Sequence, residues 1–308
     1  MNSKKILVTG GAGFIGSHLV DRLIQNDYDV AIIDNLSTGK KQNLNPKAKF
    51  YNLDIRDSKI SEVFKKEKPK IVFHLAAYLN LQESIVHPSE CSDINILGSI
   101  NIVENFIKFN EDVPNSKFIF SSTGGAIYGD ASVLPTPESC PTFPLSPYGV
   151  SKLSFEKYLD YYHEIFNLPF IVLRYANVYG PRQKKGVIPI FCENILKNKK
   201  VFIHNSGEQT RDFVFVKDVV EANILSMNSV KGVFNIGMEK EISINTIFDE
   251  INKLLRLNAQ KQYKKLSFPG KTKSCLDSNK ARKELKWDPI YDFDKGLKET
   301  VNWFKNEN

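Results

Sequence analysis

Tyr148 and Lys152 lie four positions apart in the stretch Ser146-Pro147-Tyr148-Gly149-Val150-Ser151-Lys152. On a helix, residues at i and i+4 are surface neighbours, so the ammonium can stand beside the phenol. Alone, this is also what an ordinary surface pair on an amphipathic helix looks like. A second stretch changes its weight. Gly11, Gly13 and Gly16 fit G-x-G-x-x-G, and Gly10, Gly13 and Gly16 also fit G-x-x-G-x-x-G. Glycines at this spacing allow a tight turn, close approach of backbone to a pyrophosphate, and a helix N-terminus facing the phosphates. Asp34 follows Gly16 by 18 positions. There its carboxylate can bond a ribose 2′-hydroxyl and repel a 2′-phosphate, which favours NAD over NADP. Neither Asn35 nor Leu36 is basic, which agrees. A hydroxyl from Ser121, Ser122 or Thr123, a phenol and an ammonium beside such a cofactor form a site for oxidising an alcohol.

The elements that must position these groups are legible as a pattern. Ile6-Leu7-Val8 reads as a short buried strand before the glycines, and a helical pattern runs from Phe14 to Gln25. Val30 to Ile33 reads as a second strand ending at Asp34. Further strand-like runs are Phe50–Leu53, Ile71–Leu75, Phe118–Phe120 and Phe170–Leu173. Helical stretches between them include Asp93–Phe109 and Pro147–Phe166. Apolar strands alternating with helices imply a parallel sheet covered on both faces. The fold class expected is therefore α/β: a Rossmann-type doubly wound parallel sheet with a smaller C-terminal mixed α/β lobe. Residues 1–176 are expected to form the cofactor domain, with later segments returning to it, and 177–308 mainly the substrate lobe. In such a sheet the strand ends face the ligand crevice. That brings Ser121, Ser122 and Thr123 toward the nicotinamide, with the helix of Tyr148 close by.

Composition narrows the classes. The chain has 308 residues, 42% hydrophobic and 25% charged, which is ordinary for a globular protein. No run approaches the ~20 apolar residues of a membrane span, and no signal peptide is visible. Cys91, Cys140, Cys192 and Cys275 are scattered, as in a reduced cytoplasm. The five histidines show no metal spacing, and His74 reads as a packed core residue. A net charge of +7 is spread over small lysine pairs, with no basic aromatic helix of a nucleic-acid binder.

The motifs TGGAGFIGSHLV, DNLSTG, HLAAY, SSTGGAIYGD, SPYGVSK, LRYANVYGPRQ and SGEQTRDFVFV, with the ending GLKETVNWF, carry a resemblance along the whole chain. As a set they resemble the extended short-chain dehydrogenase/reductases of the NAD-dependent epimerase/dehydratase family, most of all its UDP-hexose 4-epimerase branch. That resemblance implies NAD as cofactor, a UDP-sugar as substrate and a homodimer. It implies that Tyr148 is the general base and acid, that Thr123 is the catalytic hydroxyl, and that Lys152 holds the nicotinamide ribose while lowering the phenol. A free tyrosine titrates near ~10, and reaching ~7 requires about 4 kcal/mol of differential stabilisation, from Lys152 and the positive nicotinamide ring. It further implies cofactor contacts from Gly10, Gly13, Phe14, Ile15, Gly16, Asp34, Asn35, Ser37, Thr38, Gly39, Asp54 and Ile55. Leu75, Ala76, Ala77, Asn95, Ser121, Ser122, Tyr175 and Ala176 complete that lining. Thr123, Tyr148, Asn177, Val187, Arg211 and Cys275 are implied to meet the substrate, Asn177 and Arg211 at its diphosphate. Cys275 is expected at a position where a bulky residue restricts the sugar pocket. The family's dehydratases carry Asp-Glu after the catalytic Thr, and its decarboxylating members usually Glu. Here Gly124 and Gly125 follow, which leaves a redox-neutral inversion. Another nucleotide sugar, such as UDP-glucuronate, and a non-catalytic NAD-binding regulator remain alternatives. One departure is Phe268-Pro269-Gly270-Lys271, where the family usually has an Arg that touches the nucleotide.

Overall fold

The computed structural model describes residues 5–79, 81–110, 112–229, 231–265 and 272–307. The first half runs β1 (Lys5–Thr9), α1 (Phe14–Gln25), β2 (Asp29–Ile33), β3 (Lys49–Tyr51), α2 (Ile60–Glu67), β4 (Ile71–His74) and α3 (Leu81–Val86). There follow α4 (Pro88–Ser92), a π-helical stretch (Asp93–Gly98), α5 (Ser99–Lys108), β5 (Lys117–Thr123), the short α6 (Gly124–Ile127), α7 (Pro147–Phe166) and β6 (Phe170–Tyr175). The remainder is β7 (Asn177–Tyr179), α8 (Val187–Leu196), β8 (Val201–His204), β9 (Thr210–Phe215), α9 (Val216–Ser226) and β10 (Gly232–Ile236). It closes with β11 (Glu241–Ser243), α10 (Ile244–Leu255), β12 (Lys261–Lys264) and α11 (Phe293–Glu307).

Seven strands form one sheet in the order β10-β6-β5-β4-β1-β2-β3, every pair parallel. The chain winds outward in one direction from β1 to β3 and in the other through β4 and β5, so the switch point lies between β1 and β4. Ligands of such sheets bind beyond the strand ends at that point. The central strands are apolar because helices cover both faces. On one face α1 and α9 pack over Val8, Ile32, Phe73, Ile119 and Leu173. On the other, α2, α5 and α7 cover Leu7, Ala31, Val72, Phe118, Phe120 and Val172. A separate core forms the smaller lobe, in which α8, α10 and α11 meet around Phe191, Phe248, Ile251, Leu297 and Phe304. Two small sheets belong there, β11-β9-β7 and β12-β8.

One element differs from the sequence expectation. The helix expected over 93–109 starts with a π-helical turn rather than a continuous α-helix. Ser99 Oγ donates to Asn95 O at 2.6 Å, and the Asn95 side chain is drawn to other elements; widened turns of this kind arise where such contacts compete with the helical ladder. The apolar stripes of α5 and α7 are largely used within the chain. Ile102, Val103, Phe106, Phe155, Leu159 and Tyr162 are buried in the sheet-side core. The large apolar groups left outside on this side of the molecule are Leu97, Val150, Tyr158, Tyr161, Ile165 and Phe166.

Candidate active site

The glycine turn is built for close approach. Gly10 follows β1 at φ +73°, a conformation that favours glycine, and a Cβ there would come within 2.8 Å of the Ala76 nitrogen. At Gly16 a Cβ would run into the Gly10 carbonyl oxygen. Gly13 caps α1 without any side chain, so the open N–H groups of the first turn, from Phe14 and Ile15 onward, are free of side-chain caps and face an anion site. The cradle thus fits a pyrophosphate. Across the turn, Asp34 Oδ2 accepts from Ala12 N at 3.0 Å and Oδ1 from Leu36 N at 2.8 Å. A carboxylate has about four acceptor sites, so capacity remains for a ribose hydroxyl. Burial pushes the Asp34 carboxyl up, and the two N–H donors oppose it. Gly39 presses on the same carboxylate, while Ser37 and Thr38 are exposed beside it. Asn35 Nδ2 donates to Asp54 Oδ2 at 2.8 Å, and the Arg56 guanidinium holds Asp54 down to about 2. Ile55 is buried next to them. Asp34→Ala with an added Arg in this loop is expected to shift cofactor preference toward NADP by removing the repulsion and supplying a partner for the 2′-phosphate. Dissociation constants for both cofactors check this; a wild type that already prefers NADP would overturn the assignment of Asp34.

At the ends of β4, β5 and β6 the remaining groups converge. Ser146 caps α7 by accepting from Gly149 N at 3.1 Å, and Pro147 occupies the first turn. This fixes where Tyr148 and Lys152 leave the helix. Thr123 ends β5, and its Oγ1 caps α6 by accepting from Ala126 N at 3.3 Å. Lys152 is 3% exposed; its Nζ donates to Ser121 O at 2.8 Å and lies 4.6 Å from the centre of the Phe120 ring. Burial lowers Lys152 to about 7, and the Glu156 carboxylate opposes that fall. Tyr148 is half-buried, and burial pushes its phenol above the usual value, while a hydrogen bond with Thr123 pulls it down. The Lys152 ammonium is directed at the Ser121 carbonyl.

Several supporting residues were not singled out in the sequence. Ala76 N donates to Thr9 Oγ1 at 3.1 Å, and Thr9 Oγ1 meets His74 Nδ1 at 2.7 Å. His74 Nε2 meets Ser99 Oγ at 2.8 Å, which in turn donates to Asn95 O. The directions close only if Nε2 carries the proton and Thr9 donates to Nδ1. Burial, with the Lys152 charge, brings His74 down to about 3, so it stays neutral. His74 is thus a core residue, as expected, but one that orders polar groups. Asn95 Nδ2 then donates to Ser151 Oγ at 3.0 Å, and Ser151 to Tyr148 O at 2.8 Å. One buried chain of bonds ties the Leu75-Ala76-Ala77 segment to the base of Tyr148. Its members come from β1, β4, α5 and α7, and no local spacing signals them. Nearby, Ser121 Oγ lies 3.1 Å from Tyr175 OH, and Ala176 N donates to Ile236 O at 2.9 Å.

On the substrate side, Asn177 is exposed at the start of β7, and Val187 opens α8 half-buried. Arg211 extends from β9 with its carrier strand anchored by Asp212, which was also not foreseen. Asp212 is buried and accepts from Met238 N at 2.8 Å, Glu239 N at 3.3 Å and Leu276 N at 3.2 Å. Residues 272–277 run extended between β9 and Thr136, bonded through Ser274 O to Asp212 N and through Cys275 O to Thr136 N. Leu276 turns toward Gly124, where a Cβ would come within 2.6 Å of its methyl group. Side chains alternate along an extended run. Cys275 therefore takes the opposite face, where burial, with the negative charges of Asp212, Glu241 and Glu239, pushes its thiol up to about 12. The small residue on the Gly124 side is Ser274. Residues 268–271, where the departure at the nucleotide was noted, lie outside the described residues.

A parallel sheet with this glycine turn and this phenol–ammonium–hydroxyl group defines the class of NAD-dependent enzymes acting on alcohols. Residues 6–237 match the NAD dependent epimerase/dehydratase family, and the chain belongs to that family. The UDP-glucose 4-epimerase of Thermotoga maritima, solved with UDP-glucose, is 44% identical over 98% of this chain and 99% of its own, with a TM-score of 0.95. That of Thermus thermophilus, solved with NAD, is 34% identical over 98% and 99%, with a TM-score of 0.93. A UDP-N-acetylglucosamine 4-epimerase from Methanobrevibacter ruminantium, in complex with UDP-N-acetylmuramic acid, is 37% identical over all of both chains, with a TM-score of 0.93.

Proposed function

We propose that this protein inverts C4 of a UDP-hexose, interconverting UDP-glucose and UDP-galactose, with NAD as a resident cofactor. The observation that carries the reading is the convergence of Thr123, Tyr148 and Lys152 beside the Asp34 glycine turn, with no acid following Thr123. When bound, NAD supplies the acceptor and donor for the sugar's C4 hydrogen. Tyr148 takes the proton of the 4-hydroxyl and later returns it to the opposite alcohol. Thr123 bonds the same oxygen and keeps it beside the phenol, and Lys152 holds the nicotinamide ribose from a site that excludes water. Asn177 and Arg211 bind the diphosphate, Arg through its forked donors. Leu276 packs closely over Gly124. With glycine at both 124 and 125, the chain offers no acid next to Thr123 for water elimination. A panel of UDP-, dTDP- and GDP-sugars assayed for C4 inversion tests the reading, with absorbance of bound NAD showing transient reduction. No inversion with any of them would overturn it.

A second substrate pair has its own support. Ser274, on the face of the strand that turns toward Gly124, is small, which favours acceptance of an N-acetyl group, and the relative from Methanobrevibacter acts on such a sugar. The cofactor domain is assigned to residues 1–176 with β10 returning to it, and the sugar-nucleotide lobe to most of 177–308. No helix among the described residues is long and apolar enough to cross a membrane, and its four cysteines are unpaired, so we place the protein in the cytoplasm. We assign a homodimer, because Leu97, Val150, Tyr161 and Ile165 are 59%, 47%, 51% and 59% exposed along neighbouring helices. Light scattering at micromolar concentration is expected to give twice the chain mass of 35.1 kDa, and a monomer would count against this face as an interface.

A further inference from the structure

We propose that Glu156, paired with Arg174, is a positioning residue that clamps α7 to the end of β5 and presents a buried carboxylate to Lys152. The proposal rests on the catalytic reading of Lys152 given above. Two consecutive residues of β5 grip two consecutive turns of α7. Ser121 O accepts from Lys152 Nζ at 2.8 Å, and Ser122 Oγ donates to Glu156 Oε1 at 2.5 Å. Thr123, whose hydroxyl bonds Tyr148, is the next residue of the strand. Any slip between helix and strand therefore moves Thr123 relative to both Tyr148 and Lys152.

The clamp is held from behind. Arg174 on β6 reaches Glu156 twice, through Nε at 3.1 Å and Nη2 at 2.5 Å, with the two side chains 7% and 4% exposed. Its third donor goes to Tyr128 OH at 2.7 Å, and Tyr128 passes its proton to Asn235 Oδ1 at 2.9 Å. Asn235 Nδ2 donates to Thr136 O and Asp277 O, at 3.0 and 3.2 Å. The network thus runs from Ser122 and Glu156 to the strand that carries Ser274 and Leu276. A buried ion pair is weak evidence for added stability, since similar apolar groups often serve as well. One that touches both strand and helix beside reacting groups has a better use in fixing their register.

The charges around Lys152 are few. On its own helix stand Tyr148 and Glu156; from α4 comes Cys91, and from β4 the neutral His74. Arg174 lies behind Glu156, its charge spent on that carboxylate. Glu156 is thus the one carboxylate among them, and it opposes the fall that burial imposes on the ammonium.

The experiment compares NAD-loaded wild type with Glu156→Gln and Ser122→Ala. The protein carries lysine labelled with carbon-13 at Cε, and the Lys152 signal is identified by its loss in Lys152→Met. In E156Q the Lys152 midpoint is expected to fall by about one pH unit, the scale of losing a close opposite charge. Turnover per loaded subunit should fall about 10- to 100-fold, as for an ångström of misplacement, while KM stays close to wild type. S122A should move both in the same direction by less, and it decides the matter if E156Q does not fold. A merely structural role would lower melting temperature and yield but leave midpoint and turnover of the loaded protein alone. Wild-type values of both in either folded variant would overturn the clamp. Absence of C4 inversion in wild type would overturn the reading of function instead, and the Lys152 midpoint would still decide the clamp.

Discussion

Tyr148→Phe is expected to lower turnover by about 10²–10⁴-fold while the fold and bound NAD persist, because proton transfer by a positioned group is typically worth that much. The ring stays, so its packing is kept. The hydroxyl that is lost bonds Thr123, and a single such bond is worth only about 1 kcal/mol of stability. The change is therefore selective for chemistry. Binding of the UDP-sugar should survive, since Asn177 and Arg211 are untouched. The check is turnover per mole of bound NAD, with the melting temperature as control. Turnover within about threefold of wild type would show that Tyr148 does not move the proton. Because burial holds the phenol high in the chain itself, wild-type activity should rise with pH toward the point where the phenol ionises in the loaded enzyme. Tyr148→Phe should flatten that limb.

What the sequence reveals of this site is local. β1, the glycine turn, α1, β2 and Asp34 follow one another within a short span, so their spacing alone brings cofactor groups together. Ser146, Pro147 and the stretch to Phe166 define α7 by its own cap and pattern, and the structure starts and ends it at those residues. Where several elements must meet, the pattern is silent. Thr9, His74, Ser99, Asn95 and Ser151 form one buried chain of bonds; the resemblance marks Asn95 and the apolar run marks His74, yet Thr9, Ser99 and Ser151 look like ordinary strand or helix residues in the sequence. Glu156 reads as one more acid on an amphipathic helix, and only β6 shows that its face is inward. The π-helical turn at 93–98 has the same origin, since its cause is Asn95 reaching Tyr78 and Ser151. β10 returns to the far edge of the sheet because β6 offers an open edge, which no motif near Gly232 announces.

The proposed place of the size gate turns on a single position. Sequence resemblance put the size gate at Cys275, but along an extended run one position exchanges the faces. Leu276 meets Gly124, so Ser274 shares its side and Cys275 faces Asp212, Glu239 and Glu241. Ser274→Tyr is therefore expected to suppress interconversion of UDP-GlcNAc and UDP-GalNAc selectively. The aromatic ring would occupy the volume of the N-acetyl group, and overpacking of ~1–3 kcal/mol corresponds to a loss of about 5- to 150-fold. UDP-glucose and UDP-galactose, with a bare 2-hydroxyl, should retain most of their activity. Cys275→Tyr should behave differently. It forces a large ring into a buried position on the side of Asp212, so both pairs should fall together with the melting temperature. Rates for the four sugars in both variants, each per mole of bound NAD, decide the point. If Cys275→Tyr is the selective variant and Ser274→Tyr is not, the side-chain alternation has been misread and the gate returns to Cys275. If wild type shows no acetyl-sugar activity, neither residue is a gate that stands open.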